Sequence, residues 1–174
     1  YIEALSLDQH AVFDPENHEV VRQYLKSQLG EFIGTDNVYE MNYPGASTGS
    51  SIDYDIHNLL GIIEGENETG ILLVAHYDSR GHRDSTGQLG ESFGAADDGY
   101  GIAVLLETAR LFSEKNLTNT IYILMTDAEE TGLYGAQMAA GETDLMDKIG
   151  FVINVEARGV TGPAIMFETS TDNA

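Results

Sequence analysis

Three apolar runs of this chain stop at, or just before, side chains that bind divalent metals. Residues 71–75 end at His76, residues 121–125 lead to Glu129 and Glu130, and residues 151–155 end at Glu156. A fourth acid, Asp97, precedes a segment with helical patterning. One imidazole with three or four carboxylates and no cysteine suits zinc, or two zinc ions bridged by a shared carboxylate, better than calcium, which takes oxygen ligands only. Manganese and cobalt are compatible with the same donors. Glu129 and Glu130 are adjacent, so their side chains diverge and two jobs are open to them: one carboxylate on the metal, the other free to take a proton from water. That division suits metal-assisted hydrolysis. Asp78, two residues beyond His76 on a segment leaving a strand, points the same way and can accept the second N–H of the ring.

Each of these residues also has a plainer reading. Asp78 is equally a turn former beside a satisfied histidine. One of Asp97 and Asp98 caps the following helix whatever the other does, because Asp is a favoured N-cap and suits the positive end of the helix dipole. The same preference accounts for two acids at residues 129 and 130, and Glu156 has an ion-pair partner in Arg158, two residues on. A phosphate-binding loop at residues 94–101 is the weakest reading, since no Lys is present there and two carboxylates repel a phosphate.

The positioning elements follow from the patterning. Runs of about five residues rich in Ile, Val and Leu read as buried strands, and helical segments between them make the strands parallel. Parallel strands share one C-terminal edge, where open α/β sheets place their ligands. Asp14 as N-cap, Pro15 at the first helical position and Val20, Val21, Tyr24, Leu25 and Leu29 on one face predict a helix that ends at Gly30. Residues 38–43 read as a strand. Ile52, Tyr54 and Ile56 alternate with Asp53, Asp55 and His57, as on a half-exposed edge strand, with pairing continuing through residues 59–63. The polar stretch 64–70 predicts an antiparallel hairpin into the strand at 71–75. Residues 76–100 are long, irregular and rich in Gly, Ser, Asp and Arg, and are expected to cross the crevice. Helices are predicted at 98–112, with Ile102, Leu105, Leu106, Ala109 and Phe112 as its apolar stripe, and at 133–140, with a last apolar piece at 164–167.

The chain has 174 residues, enough for one domain with a real core and too few for two comfortable ones. A hydrophobic share of 42% and a charged share of 21% indicate a globular chain. The formal net charge of -21, with eight Lys and Arg in all, argues against nucleic acid and anionic membrane as partners and for cations. No run is long enough to cross a bilayer, and no signal peptide is visible at the start. Sequons occur at Asn67 and Asn116.

With its motifs in order, the sequence resembles the zinc exopeptidases of the aminopeptidase Y type. That family includes bacterial leucyl aminopeptidases and, more distantly, glutamate carboxypeptidase and glutaminyl cyclase. The resemblance runs from Asp14 to Ser170 and is carried by Ala75-His76-Tyr77-Asp78-Ser79, Gly94-Ala95-Ala96-Asp97-Asp98-Gly99-Tyr100-Gly101, Asp127-Ala128-Glu129-Glu130-Thr131-Gly132-Leu133 and Asn154-Val155-Glu156-Ala157-Arg158-Gly159. It implies a single α/β domain, a three-layer sandwich with a mixed, largely parallel central sheet. It further implies that His76 and Glu156 bind one zinc, Asp97 bridges two, Glu130 binds the second, Glu129 is the general base and Asp78 orients His76. The implied activity is removal of N-terminal residues from peptides. A carboxypeptidase or cyclase of the same clan, and a receptor-like or scaffold relative without metals, are the alternatives. The Glu-Ala-Arg-Gly form at Glu156 resembles members that carry a membrane domain after the peptidase domain, which suggests an extracytoplasmic module anchored elsewhere, with no membrane contact from this segment. The family supplies a final zinc-binding His from a later loop, whereas no His follows His82 here. The expectation is therefore a domain truncated at its C-terminal side, its last strand, covering helix and final zinc ligand lying beyond Ala174, with at most one well-formed zinc site.

Overall fold

The computed structural model describes residues 1–46, 54–81, 92–157, 159, 161–166 and 168–170. Five strands form one sheet: β1 (Val38–Ala46), β2 (Tyr54–Ile63), β3 (Asn67–His76), β4 (Asn119–Thr126) and β5 (Ile149–Asn154), in the order β1-β2-β4-β3-β5. β3 pairs in parallel with β4 and β5, and β2 is antiparallel to both β1 and β4, so four of the five strands run in one direction. Helices α1 (Ile2–Leu5), α2 (Pro15–Ile33) and α3 (Gly99–Phe112) pack on one face; α4 (Tyr134–Ala140) and α5 (Thr143–Met146) lie on the other. This is the expected three-layer α/β sandwich. Strand alternation divides the core: Leu59, Leu73, Ala75, Ile121, Ile123 and Met125 face α2 and α3, while Leu60, Leu72, Val74, Tyr122 and Leu124 face α4 and α5.

The helices match their signals with two corrections. Asp14 caps α2 and Pro15 opens it, but the helix runs through Gly30 to Ile33 and stops at Gly34, whose φ of 85° is the left-handed conformation that glycine adopts without strain. Its inward stripe is His18, Val21, Arg22, Leu25 and Leu29; Val20, expected on that face, is turned outward and 67% exposed. In α3, Ile102, Leu105, Leu106 and Ala109 are buried as expected, whereas Phe112 lies at the exposed end.

The hairpin expectation fails. β2 and β3 follow one another in sequence yet are not neighbours, because β4 inserts between them. The connection passes close beneath the start of β4, where the N–H groups of Glu66 and Asn67 donate to the carbonyls of Leu117 and Thr118. Glycine makes that approach possible, since a Cβ at Gly65 would stand 2.4 Å from the Asn119 carbonyl carbon and one at Gly70 only 1.9 Å from the Thr120 oxygen. β2 is consequently no edge strand: β1 takes that place, although residues 54–58 pair on the β1 side alone. β5 departs from expectation in the other sense. It is the opposite margin of the sheet, and Phe151, Val152 and Ile153 are 42–50% exposed instead of buried. Residues 164–166 form no regular element. Ile52 and Asp53 of the expected edge strand, residues 82–91 of the crevice segment, Arg158 with its suggested ion pair, and Phe167 all lie outside the described residues.

The two sides of α2 and α3 make a direct check on this packing. Leu105→Ala, at a fully buried site, is expected to lower unfolding free energy by about 2–5 kcal/mol in urea titrations. Val20→Ala is expected to change it by no more than about 0.5 kcal/mol.

Candidate metal centre

The parallel strands deliver their ends to one edge of the sheet. β3 ends at His76, β4 ends one residue before Asp127 and the turn bearing Glu129 and Glu130, and β5 ends two residues before Glu156. On the face that carries α3, the chain returns through Asp97 and Asp98 to begin that helix. The His76 Nε2 atom lies 3.1 Å from Asp97 Oδ1 and 3.8 Å from both Glu129 Oε2 and Glu156 Oε1. Donor atoms of His76, Asp98 and Glu156 fall within 4.8 Å of one another. A cleft of about 390 Å³ with apolar walls, including Leu133, Met146 and Val152, reaches His76, Glu129 and Glu156 from the α4 side.

Asp98 divides its carboxylate between two roles. Oδ1 accepts the Gly101 N–H at 3.0 Å and so caps α3, while Oδ2 is buried without a hydrogen-bond partner among the described residues. The pattern of two acids at a helix start foretold the cap but could not say which of them would be buried toward His76, and the sequence reading did not count Asp98 among the metal donors. Asp97, joined to it by a cis peptide bond, has a half-exposed side chain against the His76 ring.

Glu130 is a further acid of this edge. Its Oε2 lies 3.7 Å from Arg80 Nε, and its Oε1 is a second buried carboxylate oxygen without a hydrogen-bond partner among the described residues.

The electrostatics are those of too many carboxylates for the cations the protein supplies. Burial, and then the surrounding acids, push the Asp98 and Glu130 carboxyls up to about 7. Burial also raises Glu129, reinforced by Glu156, Asp78 and Asp97 and opposed by His76. Burial by itself would lower the His76 imidazole, yet the nearby carboxylates of Asp78, Asp97 and Glu156 hold it well above its ordinary value. The same His76 contact keeps Asp97 below the usual carboxylate range. Two orphaned carboxylate oxygens, raised acids and an imidazole at their centre fit a divalent cation with nitrogen and oxygen ligands, and zinc meets that description.

Asp78 does more than face the ring. His76 Nδ1 is 3.1 Å from the Asp78 carbonyl and 3.4 Å from its carboxylate, so the backbone oxygen makes the closer contact. The carboxylate, fully buried, accepts the N–H of Glu129 on Oδ1 at 2.9 Å and of Glu130 on Oδ2 at 3.2 Å. It thereby ties the end of β3 to the turn after β4. Sequence spacing foretold Asp78 beside His76 but carried no sign of this second attachment, which joins residues 51 and 52 positions apart.

Comparison with known proteins places the chain in a family and a fold. The vacuolar membrane protease of Candida dubliniensis is 35% identical over 156 residues, covering 84% of this chain and 16% of the relative. Its counterpart in Schizosaccharomyces pombe is 27% identical over 169 residues, covering 91% and 19%. The chain thus spans less than a fifth of the length of these curated relatives. Among solved structures, a zinc-dependent exopeptidase from Parabacteroides distasonis superposes with a TM-score of 0.78 at 24% identity, covering 91% of this chain and 60% of that one. Glutaminyl cyclase from Bacteroides thetaiotaomicron, bound to N-acetylhistamine, gives 0.77 at 21% identity with the same coverage. At such identities the superpositions establish the fold. The sequence model of peptidase family M28 matches residues 58–174, more than half of the chain and all of the metal-centre residues, and the chain belongs to that family.

Proposed function

We propose that this chain forms the metal-binding part of a zinc-dependent aminopeptidase that hydrolyses N-terminal peptide bonds. The observation that carries the reading is the meeting of His76, Glu156 and the Asp97-Asp98 pair at one sheet edge, with Glu129 beside them and two buried carboxylate oxygens lacking hydrogen-bond partners among the described residues. His76 and Glu156 would hold one zinc, Glu130 would serve a second, and Asp97 would be shared between them; Asp98 stands close enough to His76 and Glu156 to share in the first site. Bound there, zinc supplies the Lewis acidity that polarises a peptide carbonyl and lowers the pKa of water. Glu129, raised by burial, takes the proton from the attacking water and returns it to the leaving amine. Asp78 holds the Glu129-Glu130 turn and the His76 ring in fixed relation, so that base and metal ligand keep their spacing. The domain belongs to a membrane-associated protein, which relatives named vacuolar membrane proteases support, and we place it on the extracytoplasmic side. None of the described helices is long and apolar enough to cross a membrane.

A cyclase is the second reading, because several glutaminyl cyclases match the fold about as well as the exopeptidase does. Substrates separate the two. Release of the first residue from peptides with a free amino terminus supports the aminopeptidase. Conversion of N-terminal glutamine to a cyclised terminus, without peptide cleavage, rejects it. In the full-length protein Glu129→Gln is expected to lower kcat by about 10²- to 10⁴-fold while elemental analysis finds the zinc content unchanged.

The raised acids give the metal-free chain a pH dependence. Folding favours the protonated forms of Asp98 and Glu130, so their contribution to stability is full below their ordinary values of 3.8 and 4.5 and is lost as pH rises to about 7. His76, held above its ordinary 6.5, contributes fully below that value and also loses its contribution at higher pH. Zinc requires these acids ionised and the imidazole neutral. Thermal unfolding should therefore show a larger zinc-induced rise in Tm at about pH 8 than at about pH 6, at equal free zinc. An equal rise at both values contradicts the assignment.

A further inference from the structure

Two buried ionisable side chains outside the metal centre have no part in the reaction just described, and both attach to the turn at Ala128 that carries Glu129. Asp127 has no exposed surface and His18 almost none. The His18 Nε2 atom stands 2.8 Å from Asp127 Oδ1 across 109 residues of sequence. Oδ1 also accepts the Ala128 N–H at 2.7 Å, and Oδ2 accepts the His57 N–H at 2.9 Å. The ring of His18 stacks on Tyr77 at a centroid distance of 5.1 Å, and Tyr77 directly follows His76. His18 thus touches the ends of both central strands from the first turn of α2.

Ala128 has a φ of 55°, a left-handed conformation that is unfavourable for a residue with a Cβ. Without that left-handed step, Glu129 and Glu130 could not turn back to Asp78. The three N–H groups of residues 128, 129 and 130 all donate to buried carboxylates: the first to Asp127, the other two to Asp78. Asp78 belongs to the surroundings of His76. Asp127 faces the opposite way and depends on α2 and β2 for its remaining partners. Behind it the turn is closed by Asn58, which accepts the Asp127 N–H at 2.9 Å and donates to the Gly135 carbonyl at 2.7 Å.

We propose that His18 and Asp127 are a positioning pair that holds Ala128 in its left-handed conformation and so sets the place of the base Glu129 relative to His76. The inference rests on the proposed role of Glu129, but the geometry of the turn is independent of it. Deleting the imidazole leaves Asp127 Oδ1 with only its neighbouring amide, and the turn loses its tie to α2. A shift of about 1 Å at a reacting group is enough to cost about 10²-fold in rate.

The test compares His18→Leu, which removes the N–H, with His18→Gln, which can still present a donor. In the full-length zinc-loaded protein, His18→Leu is expected to lower kcat by about tenfold or more with KM within about twofold, while His18→Gln recovers most of the loss. In the metal-free protein, hydrogen exchange at the amides of residues 128–130 is expected to quicken by about tenfold in His18→Leu, with α3 amides unchanged. Wild-type exchange at those three amides, or faster exchange across the whole domain, overturns the proposal, as does an unchanged kcat. Should His18→Leu fail to fold, His18→Asn, too short to reach Asp127, is expected to give the same local pattern, and wild-type behaviour there overturns it equally. A wild-type protein without activity on peptides refutes the aminopeptidase alone; the exchange measurement still decides the pair.

Discussion

Carboxylates gathered out of water repel one another, and the C-terminal edge of this sheet gathers five of them around a single imidazole. Asp78, Asp97, Asp98, Glu129 and Glu156 all act on His76, and Glu130 stands close enough to feel its charge. In the protein alone this concentration is relieved only in part, by holding protons on acids that ordinarily lose them and on a histidine that burial alone would discharge. A fold that stored this much like charge without a counter-ion would be working against itself, and a divalent cation at this edge would remove the conflict.

Topology explains how residues from distant parts of the chain meet there. β4, β3 and β5 are parallel neighbours, so their ends coincide, and the described residues that follow each strand directly, 127–133, 77–81 and 155–157, leave over the same edge. Those segments are fastened by buried side chains and owe little to their own regular structure. Asp78 reaches from the end of β3 to two amides beyond β4, and Asp127 reaches from the end of β4 to α2 and β2. The scaffold therefore consists of strands that aim and carboxylates that lock.

Much of this was legible from residue order. The apolar runs located β3, β4 and β5, Asp14 and Pro15 marked the start of α2, and the acids beside the runs marked the site. What escaped was set by contacts distant in sequence. The polar stretch at 64–70 looked like a hairpin because nothing local reveals that β4 inserts between β2 and β3; only the close passage at Gly65 and Gly70 records it. Val20 sits one residue from Val21 and differs from it by a rotation of the helix, which composition cannot resolve. The choice between Asp97 and Asp98, and the second attachments of Asp78 and Asp127, belong to tertiary geometry alone.

The outer margin at β5 has a practical meaning. Phe151, Val152 and Ile153 present apolar surface on both sides of a strand that pairs, among the described residues, only with β3. Such a margin is a template for intermolecular β-addition. A polar substitution at Val152 or Ile153 would remove apolar surface from that margin while leaving the backbone that pairs with β3 in place.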